Sequence, residues 1–87
     1  MKIKKDFLLR TVAGQTVVVP TGDNVANFNA AITLNETAAF LWEVLQNDTN
    51  EETLLVKLLE NYDVSEDVAK KDIEVFLNVL KEHDILE

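Results

Sequence analysis

The stretch "LNETAAFLWEVL", residues 34–45, decides how the chain divides, because it reads as the start of a helix placed straight after a run of β-prone residues. Asn35 is a good N-cap, since its short side chain can accept a backbone N–H that the first turn leaves without a partner. Glu36 puts a negative charge against the positive end of the helix dipole. Ala38, Leu41, Trp42 and Leu45 recur at i, i+3, i+4 and i+7, the spacing that gives a helix one apolar face. The reading predicts a helix from Glu36 to about Gln46, with Trp42 in the core.

Upstream of this joint the chain reads as strands. "FLLRTVAGQTVVVP", residues 7–20, holds two β-rich runs separated by Ala13-Gly14-Gln15, where Gly14 can take the positive φ of a tight hairpin. Pro20 closes the second run because it has no N–H for a ladder, and Thr21-Gly22-Asp23-Asn24 is rich in turn formers. A third strand fits "VANFNAAITL", residues 25–34. Its alternation places Ala26, Phe28, Ala30, Ile32 and Leu34 on one face and Asn27, Asn29, Ala31 and Thr33 on the other.

Downstream the pattern is helical. Asn47-Asp48 breaks the first helix, and Thr49-x-x-Glu52 has the form of a capping box opening a second, with Leu54, Leu55, Leu58, Leu59 and Tyr62 as its apolar residues. Ser65 caps a third and longest helix, with Glu66 and Asp67 in its first turn. Ala69, Ile73, Phe76, Leu77 and Leu80 form its main stripe. Val68, Val75 and Val79 form a second stripe beside it, interrupted by Asp72. That second stripe fits two readings, a wide buried arc or a shallow groove for a partner. Ile85-Leu86 is expected to tuck back onto the fold.

The expected architecture is therefore α+β, one domain over residues 1–87, with a three-stranded antiparallel sheet (about 3–34) followed by three helices (about 36–83), in the order βββααα. With 87 residues and 47% hydrophobic content there is material for one core, burying roughly 60% of the unfolded surface. The chain has no cysteine, so packing alone must hold it, which suits a reducing cytosol. The apolar run in "MKIKKDFLLR" is too short for a signal peptide, and no window approaches the roughly 20 apolar residues of a membrane span, so no membrane partner is expected.

Charge and side-chain inventory narrow the function. The net charge is −8 and it is unevenly spread: Lys2, Lys4, Lys5 and Arg10 outnumber Asp6 and Asp23 by two up to residue 35, and the remainder carries −10. Three strands and three helices can form a winged-helix-like domain of the kind that reads DNA. The third helix, however, bears Glu66, Asp67, Asp72, Glu74 and Glu82 against Lys70, Lys71 and Lys81, which argues against a phosphate partner. His83 is the only histidine and Ser65, already a cap, the only serine, so no catalytic residue and no metal site is expected. "DVSEDVAKKDIE", residues 63–74, has acids near calcium-loop positions, but Val68 stands where the loop needs glycine and Lys71 where it needs a ligand. Two sequons, Asn35-Glu36-Thr37 and Asn47-Asp48-Thr49, lack a secretory signal to expose them to glycosylation.

Taken together, "LNETAAFLWEVL", the tail "YDVSEDVAKKDIEVFLNVLKEHDILE" (62–87) and the preceding strand resemble the PqqD family, the pyrroloquinoline quinone biosynthesis chaperone and the related recognition elements of ribosomally made, modified peptides. The resemblance runs from about Phe7 to Glu87. Its most specific part is Leu34-Asn35-Glu36-Thr37-Ala38-Ala39 with Trp42 one turn on. Next come Tyr62, Val64, Ala69, Asp72, Phe76, Leu77, Leu80 and the closing Ile85-Leu86-Glu87. The chain departs from the family pattern at Asn47-Asp48-Thr49, where Asp-Gly is common, and in the Ala and Asn content of its third strand.

The resemblance implies a winged-helix-like domain that does no chemistry and needs no cofactor. It implies a partner, the leader of a precursor peptide, which adds as a strand beside the third strand over a groove closed by the third helix. It further implies presentation to a peptide-modifying enzyme, often of the radical S-adenosylmethionine type, by a monomer or weak dimer. Carried over by position, the peptide-binding residues are Asn27, Asn29, Ala31 and Thr33 on the strand and Val68, Lys71, Asp72, Val75 and Val79 on the helix, with Asp72 suited to a basic leader residue. Two other readings stand beside this one: a DNA-binding regulator, and a module that docks on a larger enzyme without a peptide of its own.

Overall fold

The structure is a computed structural model that describes residues 1–22, 25 and 31–87. Strand β1 (Phe7–Val12) pairs antiparallel with β2 (Gln15–Pro20), and β2 pairs antiparallel with β3 (Thr33–Leu34), giving the sheet order β1-β2-β3. Three helices follow, α1 (Glu36–Val44), α2 (Glu51–Asn61) and α3 (Glu66–Glu82). The fold is α+β, with the element order expected from the sequence.

The hairpin turn is shorter than expected. Val12 pairs with Gln15, so only Ala13 and Gly14 form the loop, with φ of 52° and 80°. Positive φ at both central residues is the two-residue turn whose twist matches the flanking strands, and Ala13 holds it despite its Cβ. The expected third strand is also shorter at its start: Val25 lies in a turn, its N–H donating to the Gly22 carbonyl at 3.3 Å. At the other end, Ile32 and Leu34 are buried while Ala31 and Thr33 are exposed, the alternation expected of a strand with one face on a core.

Asn35 and Ser65 cap α1 and α3, accepting the N–H of Ala38 at 2.8 Å and of Val68 at 3.3 Å. The capping box at Thr49 does not form. Thr49 is held by the N-terminus instead, its N–H donating to the Met1 carbonyl at 2.9 Å and its own carbonyl accepting from the Met1 ammonium at 2.8 Å. Asn50 takes over as N-cap one residue later and accepts the Thr53 N–H at 2.8 Å. Helix α1 ends at Val44 rather than Gln46: the Gln46 and Asn47 N–H groups close tighter turns on the Glu43 and Val44 carbonyls, and the Leu45 carbonyl, one of the groups a helix end leaves free, accepts the Ile3 N–H at 3.0 Å.

The core runs between the sheet and the helices. Leu41, Leu45, Leu54, Leu58, Leu77, Leu80 and Ile85 are its most deeply buried large side chains, and Trp42 is buried beside them. The five residues of the main α3 stripe are all buried. Phe40 and Tyr62 meet edge to face, ring centroids 5.4 Å apart, and tie α1 to the end of α2. The tail does fold back: Ile85 is fully buried, and Leu86 bridges Ile3 while the Lys4 N–H donates to the Ile85 carbonyl and the Glu87 N–H to the Lys2 carbonyl. Both chain ends are thereby fixed onto the helical layer.

Candidate functional site

Strand β3 lies at one edge of the sheet, and the pairing with β2 fixes which way its backbone groups point. The Val18 N–H donates to the Ile32 carbonyl at 3.0 Å, and Val17 lies opposite Thr33 and Thr16 opposite Leu34. Successive residues of a strand direct their amide groups to opposite sides. The groups of Ile32 and Leu34 therefore face β2, and those of Ala31 and Thr33 face the outer edge, where no strand pairs with them among the described residues.

Beneath this edge is a groove of about 620 Å³, bounded by residues 31–35, the start of α1 and one face of α3. From α3 and its C-cap come Asp72, Val75, Phe76, Val79 and His83, at i, i+3, i+4, i+7 and i+11, which follow the helix for about 16 Å at 1.5 Å per residue. From α1 come Thr37, Ala38 and Leu41. Its lining is mainly apolar, with the Asn35 and Thr37 side chains at the α1 end, where the Thr37 hydroxyl donates to Asn35 Oδ1 at 3.1 Å. Asp72 and His83 are the only titratable residues in the lining among the described residues. His83 caps α3, with its Nδ1 3.0 Å from the Val79 carbonyl oxygen.

Of the residues expected at a peptide, Ala31, Thr33, Asp72, Val75 and Val79 line the groove. Val68 and Lys71 are exposed on α3 outside it, and Asn27 and Asn29 lie outside the described residues. The second valine stripe is not a single surface. Val68 and Val75 are about half exposed, at 51% and 52%, whereas Val79 is partly buried against the core. Sequence reasoning did not place Asn35, Thr37, Phe76 or His83 at the groove. A helical spacing from Asp72 through Val75, Phe76 and Val79 to His83 was present in the chain, but Asn35 and Thr37 have no such local signal. They reach the groove only because β3 runs directly into α1.

The described residues contain no cluster of three or more His, Cys, Asp or Glu placed to hold a metal ion, and no helix among them is long and apolar enough to cross a membrane. No buried side-chain polar atom among them lacks a hydrogen-bond partner. The arrangement offers shape, backbone hydrogen bonds and one carboxylate. Together they make a candidate site on a small α+β domain whose edge strand overlies a helix-walled groove.

The chain belongs to the family described as coenzyme PQQ synthesis protein D (PqqD), whose model matches residues 15–86. Two solved structures share its fold. TbiB1, in complex with the TbiA(beta) leader peptide, is 18% identical with a TM-score of 0.74, the match covering 100% of this chain and 95% of that one. Lasso peptide synthetase B1, complexed with the leader peptide, is 20% identical with a TM-score of 0.69, covering 97% and 93%. No curated protein matches the chain significantly.

Proposed function

We propose that this chain is a non-catalytic recognition domain that binds the leader of a ribosomally made precursor peptide by strand addition along β3 and presents it to a modifying enzyme. The observation that carries the reading is the outer edge of β3, with the backbone groups of Ala31 and Thr33 directed outward above the groove. A guest strand gains affinity from such an edge through main-chain hydrogen bonds and selectivity from pockets for alternate side chains. Membership of the PqqD family and the leader peptides bound to TbiB1 and to lasso peptide synthetase B1 support it.

In this reading Ala31, Thr33, Asp72, Val75 and Val79 contact the leader, as do Asn27 and Asn29, which lie outside the described residues, and Val68 and Lys71 flank the Asp72 end. The domain works in the cytosol as a monomer or weak dimer, without a cofactor, and hands the leader to an enzyme that a radical S-adenosylmethionine type would suit. The test is a titration with leader peptides encoded beside the gene, followed by amide NMR shifts. Shifts at Ala31, Thr33 and the groove face of α3 are expected. Shifts confined to α2 or to the β1 edge would overturn the site.

A further inference from the structure

Asp72 stands apart from the rest of the groove. Next along the wall come the apolar Val75, Phe76 and Val79, with His83 at the far end, and the Asp72 carboxylate takes part in none of the ion pairs among the described residues. It is only half-buried, so its carboxylate is accessible from the groove. A guest that covers it with apolar side chains would strip it of water without compensation, which is costly for a charge. A guest that brings a cation gains a charge-assisted hydrogen bond there. The whole chain favours the same sign: its net charge of −8 is made up of +2 up to residue 35 and −10 after it, on the helical side that forms the wall.

We infer that Asp72 selects the guest: the groove takes an extended segment carrying Lys or Arg at one end, followed at alternate positions by apolar residues. The order of chemistry along α3 sets this pattern. Asp72 comes first, then Val75 and Phe76, then Val79. Side chains on one face of an extended peptide recur about every 6.6 Å, so one basic and two apolar residues at alternate positions span the stretch from Asp72 to Val79, about 10 Å of helix. The inference rests on the strand-addition reading above and adds the chemical class of peptide to it.

The probe is a displayed library of random peptides of about nine residues, ample to cross the groove in extended form. It is selected in parallel against the wild-type protein and D72N, both checked for folding by thermal melts. Wild type is expected to enrich peptides with Lys or Arg two positions from an apolar residue. D72N should lose the basic preference, and should bind the wild-type winners at least about tenfold more weakly, the effect of one charged hydrogen bond. Winners of wild type that are apolar or acidic at that position, or that bind D72N equally well, overturn the inference and leave the groove reading intact. A library that yields no binder competing with a leader peptide at β3 overturns both.

Discussion

The Val18 N–H donates to the Ile32 carbonyl at 3.0 Å, and this one bond decides the chemistry of the outer edge of β3. With Ile32 turned toward β2, the amide groups of Thr33 must turn away from it. In the free protein the Val18 amide should exchange slowly with solvent and the Thr33 amide fast. A leader peptide that adds as a strand should slow Thr33 at least about tenfold while Val18 changes little, because only the outer amide gains a new hydrogen bond. Hydrogen exchange followed by NMR measures both. Slowing of Val18 alone would mean that the peptide tightens the fold without pairing with the edge.

Val75 and Val79 should separate under the same substitution. Val75 is 52% exposed, so Val75→Glu is expected to change stability by no more than about 0.5 kcal/mol, while weakening peptide binding. Val79 packs against the core, and Val79→Glu should cost about 1–3 kcal/mol by burying part of a charge. Chemical denaturation of the two variants gives the comparison. Equal losses would return the valine stripe to a single buried arc.

The start of α2 offers a test of which residue caps it. Asn50→Ala should cost about 1 kcal/mol, since Asn50 Oδ1 holds the Thr53 N–H at 2.8 Å. Thr49→Ser should cost little through capping, because the contacts of Thr49 to Met1 run through its backbone. Urea midpoints at unchanged m-value are the measurement.

Ala13 sits at φ 52°, where a Cβ is unfavourable, followed by Gly14 at φ 80°. Ala13→Asn should stabilise the hairpin by about 0.5–1 kcal/mol, since Asn tolerates the left-handed region and Asn-Gly is the favoured pair for this turn. A rise in thermal midpoint supports the turn; a fall would show that the loop is not of this type.

Asp48 is held below the ordinary aspartate range by its hydrogen bond to the Met1 ammonium, 2.8 Å from Oδ1, and by the attraction of that charge. A carboxyl whose folded pKa is depressed stabilises the fold above its unfolded pKa, and the contribution is lost as pH falls through the folded value. Carbon-13 titration of Asp48 should show the depression in the protein with a free Met1 amine. Acetylation of that amine should return Asp48 toward its ordinary range, and an unchanged value would assign the shift elsewhere.

Much of the fold is legible from local chemistry. Asn35 and Ser65 cap their helices as their side chains suggest, and the stripe Ala69, Ile73, Phe76, Leu77 and Leu80 is buried as its spacing requires. Gly14 marks the hairpin. The errors occur where a distant segment competes with a local signal: Thr49 has a capping-box sequence, but Met1, 48 positions away, engages its backbone from both sides. Helix α1 stops two residues short of the expected Gln46, and Ile3 binds the carbonyl of its C-cap, Leu45.

The candidate site divides in the same way. Periodicity alone put Val75 and Val79 on one stripe, and family resemblance put Asp72 and Thr33 near a peptide. The sequence by itself thus determined the starts of α1 and α3, the core stripe and the order of strands and helices, because those follow from neighbouring residues and the 2.0 and 3.6 repeats. Tertiary structure decided that Val79 is anchored while Val75 is open, and that Asn35, Thr37 and His83 share a groove with Asp72. Burial and shared walls depend on how α3 packs against β3 and α1, and no local pattern encodes that relation.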